Sequence, residues 1–210
     1  AKIERELIVP EVRRAESSYI SYQLKNTLEF TGNWGAVRVT PESSKSIDLE
    51  LQGKILKSDG EKLKVLMRVT DAKGKVWFER TYEDTASRFS YEKPKEDPFQ
   101  DLYNDIANDL LKTREGFPRE QLLEIKTVAN LNFASDLAPD AFAGYLDESN
   151  QSQVKIVQLP AETDSMMRRV ERIKEQEYLF VDTLDDYYSR FFREMKPSYD
   201  EWRHATYDEA

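Results

Sequence analysis

Three apolar alternations separated by two glycine turns, between Ile47 and Tyr82, constrain this chain more than any other stretch. Ile47, Leu49, Leu51 and Ile55 alternate with polar residues, broken only at Gly53. After Ser58-Asp59-Gly60-Glu61 the alternation resumes at Leu63, Val65, Met67 and Val69. After Asp71-Ala72-Lys73-Gly74 it continues through Val76, Phe78, Arg80 and Tyr82. Side chains on a strand point to opposite faces in turn, so period-two alternation predicts a strand with one buried face. The glycines sit where tight hairpins call for positive φ. The stretch therefore predicts a three-stranded antiparallel meander, with Leu49, Leu51, Val65, Met67 and Val69 facing the core. It carries no chemistry.

Upstream, Ile3 to Val9 reads as a first strand stopped by Pro10, able to pair in parallel through a helix crossover. Glu11 to Thr31 reads as a helix closed at Gly32. Ala36 to Thr40 reads as a short strand ended by Pro41. The expected order is β-α-β-β-β-β, an α+β layer with a helix on a mostly antiparallel sheet, spanning residues 1–84. Downstream, Glu83 to Glu96 reads as a polar loop. Asp97-Pro98 is a helix start. Phe99, Leu102, Tyr103, Ile106 and Leu110 form one apolar stripe ended by Gly116, and Leu122, Ile125, Val128 and Leu131 form the next. A short helical turn from Pro139 follows, so residues 97–146 are a helical segment packed on the sheet. Asp147 to Gln153 is polar and reads as a linker.

Residues 160–210 form the third unit, a long helix from Pro160 to about Met195 and an aromatic tail. Val170, Ile173, Phe180, Leu184, Tyr188, Phe191 and Met195 recur at three- and four-residue steps, interrupted by Glu177. That spacing makes a seam that helices use to pack on one another. About 35 residues extend roughly 50 Å, more than a compact domain of this size needs. The expectation is that the Pro160 end packs on the chain's own helices. The aromatic end is expected to meet a protein partner or a second copy, through Phe180, Leu184, Tyr187, Tyr188, Phe191, Phe192, Tyr199 and Trp202. Arg168, Arg169, Arg172 and Lys174, set against Glu171, Glu175 and Glu177, read as a solvated face with weak helical ion pairs.

Composition narrows function mostly by subtraction. A formal net charge of −9 repels phosphate backbones, so nucleic acid is not the expected partner. No stretch reaches the ~20 apolar residues of a membrane-spanning helix. There is no cysteine, hence no disulfide, thiolate metal site or cysteine nucleophile. His204 is the sole histidine and lies among polar residues near the C-terminus. Gly32-Asn33-Trp34-Gly35 lacks the spacing and lysine of a phosphate loop. Carboxylate pairs such as Asp185-Asp186, Asp101/Asp105 and Glu175/Glu177 are what 40 acidic residues produce by chance. No catalytic, cofactor-binding or metal-ligating residue is expected.

The run from Ser46 to Ile55, its glycine turn, and the run from Leu63 to Trp77 with Asp71-Ala72-Lys73-Gly74 resemble a recurring bacterial envelope pattern: Asp, apolar alternation, Gly, hairpin, apolar alternation, Asp-x-x-Gly, Val. The pattern is similar to the amino-terminal domain of the Tol-system protein TolB. It is similar also to flagellar and peptidoglycan-synthase-activator lipoproteins and to auxiliary lipoproteins of lipid-transporting ABC systems. The resemblance covers about residues 3–84 and departs from TolB in having one helix before the meander. It implies a non-catalytic periplasmic domain, often held to the outer membrane by lipid, that acts through protein contacts. An anchor just before Ala1 is the matching expectation. No functional residue transfers. The competing readings are a carboxylate-dependent hydrolase of the envelope and a cytosolic adaptor.

Overall fold

The structure is a computed structural model that describes residues 10–92, 96–150 and 153–209. Helix α1 spans Pro10–Phe30. The meander follows as β1 (Leu49–Ser58), β2 (Lys62–Asp71) and β3 (Val76–Thr85). Then come α2 (Arg88–Glu92), α3 (Gln100–Glu115), α4 (Arg119–Leu137), α5 (Pro139–Phe142), β4 (Leu146–Asp147), β5 (Lys155–Ile156) and α6 (Ser165–Glu209). The fold is α+β: a three-stranded antiparallel sheet in the order β1-β2-β3, a two-stranded sheet of β4 and β5, and helices.

α1 starts at a proline, whose fixed φ and missing N–H suit a first helical position. It stops at Phe30, and Gly32 takes a φ of 65° to turn the chain away. In the meander, Leu51 stands opposite Val69, Gly53 opposite Met67 and Ile55 opposite Val65. On the other side of β2, Phe78 faces Val69, Arg80 faces Met67 and Tyr82 faces Val65. Directly paired residues share a sheet face, so these nine form the inner face. They pack with Ile20, Leu24 and Leu28 of α1 and with Leu102, Tyr103, Ile106 and Leu110 of α3. Two helices thus cover one face of the sheet. Arg80 reaches from that face to Asp109 on α3, and the Tyr82 hydroxyl donates to the same carboxylate at 2.8 Å. The outer face carries cross-strand ion pairs, Lys64 with Glu83 and Arg68 with Glu79.

Val65, Met67 and Val69 are buried as their alternation requires, whereas Leu49 and Leu51 are only half-buried. β1 is one of the two edge strands of this sheet, and at Gly53 it offers no side chain. The Met67 sulfur lies 3.1 Å from where a β-carbon at Gly53 would stand.

Three expectations change, and a fourth falls outside the described residues. Ala36 to Thr40 joins no ladder among the described residues. Val37 and Val39 instead pack into the helical cores on either side, and Arg38 pairs with Asp182. Among the described residues the alternation there is satisfied by packing. The expected strand at Ile3 to Val9 lies outside the described residues. The polar loop after Tyr82 contains the last residues of β3 and the short α2. Asp147, the first residue of the stretch read as a linker, belongs to β4, which pairs with β5, Leu146 opposite Ile156 and Asp147 opposite Lys155. The far side of this pair is tied to the meander: the Val154 amide donates to the Lys73 carbonyl at 3.0 Å, and Val154 packs with Ala72, Ile125 and Val128.

The long helix is longer than its sequence suggests. α6 holds 45 residues, about 68 Å at 1.5 Å per residue, and runs through Pro197 to Glu209. A proline inside a helix leaves the carbonyl four residues back without its amide partner, here that of Arg193. Burial of Phe192, Tyr199 and Arg203 on either side of Pro197 offsets that loss. Near its start, Val170 packs with Leu131, Ala134 and Phe142 of α4 and α5.

The meander face makes a testable distinction. Val65→Asp places a carboxylate in the sealed centre of the sheet, costing several kcal/mol against a total of about 5–15. It is expected to abolish cooperative thermal unfolding. Leu51→Asp, at a half-buried edge position, is expected to lower the melting temperature yet leave a folded protein. Equal effects in a circular-dichroism melt would mean that the edge strand is as closed as the central one.

Candidate interaction surface and the anchors of α6

α6 runs antiparallel to α1, and its inner face repeats every three or four residues. Asp185, Phe192, Tyr199 and Arg203 are its buried members along α1. Tyr19 and Tyr22 of α1 meet Phe192 with ring centroids 4.9 and 5.6 Å away, and Tyr19 meets Tyr199 at 4.5 Å. This small aromatic core is fastened by buried polar groups at three levels.

The first is the strongest. Arg203 donates from both terminal nitrogens to Asp97, at 3.0 and 3.2 Å, and neither side chain is exposed by more than 3%. Asp97 also accepts from the Tyr19 hydroxyl at 2.7 Å and from the Phe99 amide at 2.9 Å. The carboxylate that turns the chain into α3 is thus the one that grips α6. Burial pushes the Asp97 carboxyl up. The Arg203 charge and hydrogen bonds, with those of Tyr19 and Phe99, outweigh it and hold the group below the usual carboxylate range. The guanidinium also lies 4.8–5.4 Å from the ring centres of Phe99, Tyr199 and Tyr19, a favourable place for a weakly hydrated cation.

The second level is Glu16, fully buried on α1. It accepts from the hydroxyls of Ser58 on β1 and Tyr199 on α6, and pairs with Arg13 at 2.6 Å. The third is Lys25 on α1, which pairs with Asp185 at 2.6 Å beside the Tyr22 hydroxyl. Burial and the neighbouring carboxylates push the Tyr19 and Tyr199 hydroxyls well above the ordinary tyrosine value, so both remain donors. The far end of α6 lies on the first meander turn. Gly60 has a φ of 77°, and a β-carbon there would collide with the Arg203 carbonyl, the Thr206 hydroxyl and the Tyr207 amide.

Against this frame the eight residues expected to meet a partner separate into three groups. Phe192 and Tyr199 are buried by the chain itself and leave the candidate surface. Trp202 is half-buried, stacked on Tyr199 with centroids 5.7 Å apart. Phe180, Leu184, Tyr187, Tyr188 and Phe191 are between 37% and 65% exposed. Ile173, Tyr178 and Leu179 extend this apolar surface toward the start of the helix. The seam read from sequence therefore lies beside the buried face, sharing only Val170 with it fully. Residues 175–184 bridge the two places where α6 is held, and all but Val181 are exposed.

Lys174 also departs from expectation. It leaves the solvated basic face and turns inward, donating to the Asn130 side-chain carbonyl at 2.7 Å near the Phe133 and Tyr178 rings. Burial holds its ammonium below the usual lysine range. His204 is largely exposed, as expected, with its ring stacked 5.4 Å from that of Tyr91. Among the described residues no group of three or more acidic or histidine side chains could hold a metal ion. A shallow cavity of about 230 Å³ lies beside the second meander turn, lined by Lys45, Glu50, Asp71 and Glu148 among others. Asp71 has its oxygens committed to the Lys73 and Lys75 amides and the Trp77 indole, so it shapes the turn. No helix is long and apolar enough to cross a membrane among the described residues.

Comparison with family models, with curated proteins and with solved structures returns no match.

Sequence reasoning singled out Asp97 as a helix start, three residues before α3 begins at Gln100, and missed Arg203, Glu16 and Lys25. A weak signal existed. Glu16, Tyr19, Tyr22 and Lys25 follow three-residue steps on α1, a polar-aromatic stripe that an exposed face does not need.

Arg203→Met tests the anchor. It strands a buried carboxylate, and breaking such a pair costs about 3–5 kcal/mol. Chemical denaturation is expected to show a loss of that size, partly restored by adding Asp97→Asn. The pH dependence follows from the depressed carboxyl. Asp97 contributes its stability above the unfolded value of about 3.9 and loses it as pH falls through that value toward the folded one. Wild type should weaken below about pH 4 more steeply than the double variant. Parallel acid profiles would remove Asp97 as the group responsible.

Proposed function

We propose that this chain is a non-catalytic binding or scaffold protein that works through the outer face of α6. One observation carries the reading. A helix whose inner face is already covered by α1 and α4 presents a second apolar face to water, built from Phe180, Leu184, Tyr187, Tyr188 and Phe191. Soluble proteins seldom leave contiguous apolar surface of this kind uncovered, and aromatic residues in such a patch are those that interfaces favour. The rest of the molecule suits a platform. The sheet and its two helices form one core, and buried ion pairs hold α6 at fixed rotation against it, which keeps the patch facing outward.

The meander pattern adds a location. Its resemblance to envelope lipoprotein domains supports a bacterial periplasmic protein, anchored to the outer membrane by lipid and serving as an accessory subunit of an envelope assembly. Cell fractionation is the check on this part: recovery in the cytosol alone would remove the envelope assignment and leave the α6 reading standing.

The paired change Tyr187→Glu with Phe191→Glu tests the interface. Both side chains are more than half exposed, so the melting temperature and circular-dichroism spectrum should stay close to wild type. Assembly, read as self-association in sedimentation or as crosslinked complexes in the native envelope, should be lost. Phe192→Glu is the contrasting variant. Its site is closed, and it should detach α6 from α1 and lower stability by several kcal/mol. Loss of fold in the exposed pair would mean that the patch is core.

A further inference from the structure

The apolar stripe on α6 has a repeat and a charge pattern that select among possible occupants. Ile173, Glu177, Phe180, Leu184, Tyr187 and Phe191 follow each other by alternating steps of four and three residues, the spacing of a two-helix seam. All six are exposed. From first to last the seam is about 27 Å long at 1.5 Å per residue. One flank, at Lys174, Val181 and Tyr188, turns toward the chain's own body: Lys174 meets Asn130, and Tyr188 lies 6.5 Å from the Tyr22 ring. The other flank, at Arg169, Gln176, Thr183 and Arg190, is open to water.

Resting on the reading of this face as an interface, we propose that its occupant is an amphipathic helix of a different protein. That helix bears one basic residue facing Glu177 and carboxylates facing Arg169 and Arg190. The argument has two parts. Glu177 stands in the seam itself, and among the described residues it has no ion pair. The nearby Lys174 amine is engaged by Asn130 and the Ser46 carbonyl. A carboxylate covered by an apolar partner would lose its water without compensation, so the partner must supply a cation there. A single polar seam position of this kind fixes register and partner choice.

A second copy does not meet these demands. Laid antiparallel about Asp182, two α6 seams place Glu177 against Tyr187. In that register Arg168, Arg169 and Arg172 of one chain fall across from Lys196, Met195 and Phe192 of the other, Arg190 across from Lys174 and Arg193 across from Glu171, and no basic residue stands directly opposite Glu177. Laid parallel in register, Glu177 meets Glu177. The same five arginines form no ion pair with a carboxylate among the described residues, so their charges are free for an acidic partner. An anionic lipid surface is disfavoured by Glu175, Glu177, Asp182 and Asp186 in the middle of the stretch.

The test uses the full chain and two labelled synthetic 21-residue helices, read by fluorescence anisotropy. The matched peptide has leucines along its seam, one lysine set to face Glu177, and glutamates set to face Arg169 and Arg190. The control keeps the seam and inverts those charges. The matched peptide is expected to bind about tenfold more tightly, Phe180→Glu to abolish its binding, Glu177→Lys to narrow the preference, and the triple change Glu177→Lys, Arg169→Glu and Arg190→Glu to reverse it. Equal binding of both peptides, unchanged by Glu177→Lys, would overturn the charge-selected helix while leaving the face an interface. Binding of neither peptide by a chain that sediments as a dimer through this face would assign it to a second copy and overturn the proposal. Binding of neither peptide by a monomer that instead adsorbs to vesicles rich in phosphatidylglycerol would overturn it in favour of lipid. Binding of neither peptide by an inert monomer would overturn both this inference and the reading it rests on.

Discussion

The ion pair between Asp97 and Arg203 is the constraint on which the arrangement of this molecule depends. Asp97 lies where the chain enters α3, and Arg203 lies six residues from the end of α6. Their bidentate contact, sealed by Tyr19, Phe99 and Tyr199, joins three helices at one point. Two buried charges are costly unless each is fully matched, and here every Asp97 oxygen has two donors. Removing either partner would strand a buried charge, so the pair ties α6 to one place on the core. A helix held only by apolar contacts can rotate or slide. One held by Arg203, by Tyr199 on Glu16 and by Asp185 on Lys25 has a fixed register.

That register determines which side of α6 faces water. An amphipathic helix with apolar residues over more than half its circumference has more than one way to lie on a core. The polar levels choose the side bearing Phe192 and Tyr199 for the interior. The side bearing Phe180, Tyr187 and Phe191 is left outside as a consequence. The exposed patch and the buried network are thus two results of one choice. Gly60 belongs to the same choice, because the meander turn lies so close to the Arg203 backbone that a larger residue there would push the helix away.

Much of this was legible in the chain. The meander followed from alternation and its turns from glycine, since both signals depend on backbone geometry between near neighbours. The α3 and α4 stripes followed for the same reason: Ile106, Leu110, Ile125 and Val128 recur at helical spacing and are buried. Failures came where the decision was long-range. Val37 and Val39 carry a strand pattern but have no ladder partner among the described residues. The long helix was expected to end near Met195, yet contacts with α1 carry it through Pro197 to Glu209.

The sequence by itself determined an α+β chain, a one-sided meander, a helical second half and an amphipathic long helix with more apolar residues than one face can hide. These are local properties, set by periods of two and of three to four and by the conformational limits of glycine and proline. Only the tertiary structure decided which of the two apolar faces of α6 is core. The deciding groups, Glu16, Lys25, Asp97, Asp185 and Arg203, are charged residues far apart in sequence. In the chain they look like any other solvated charge, and their burial is worth its desolvation only when all their partners arrive together.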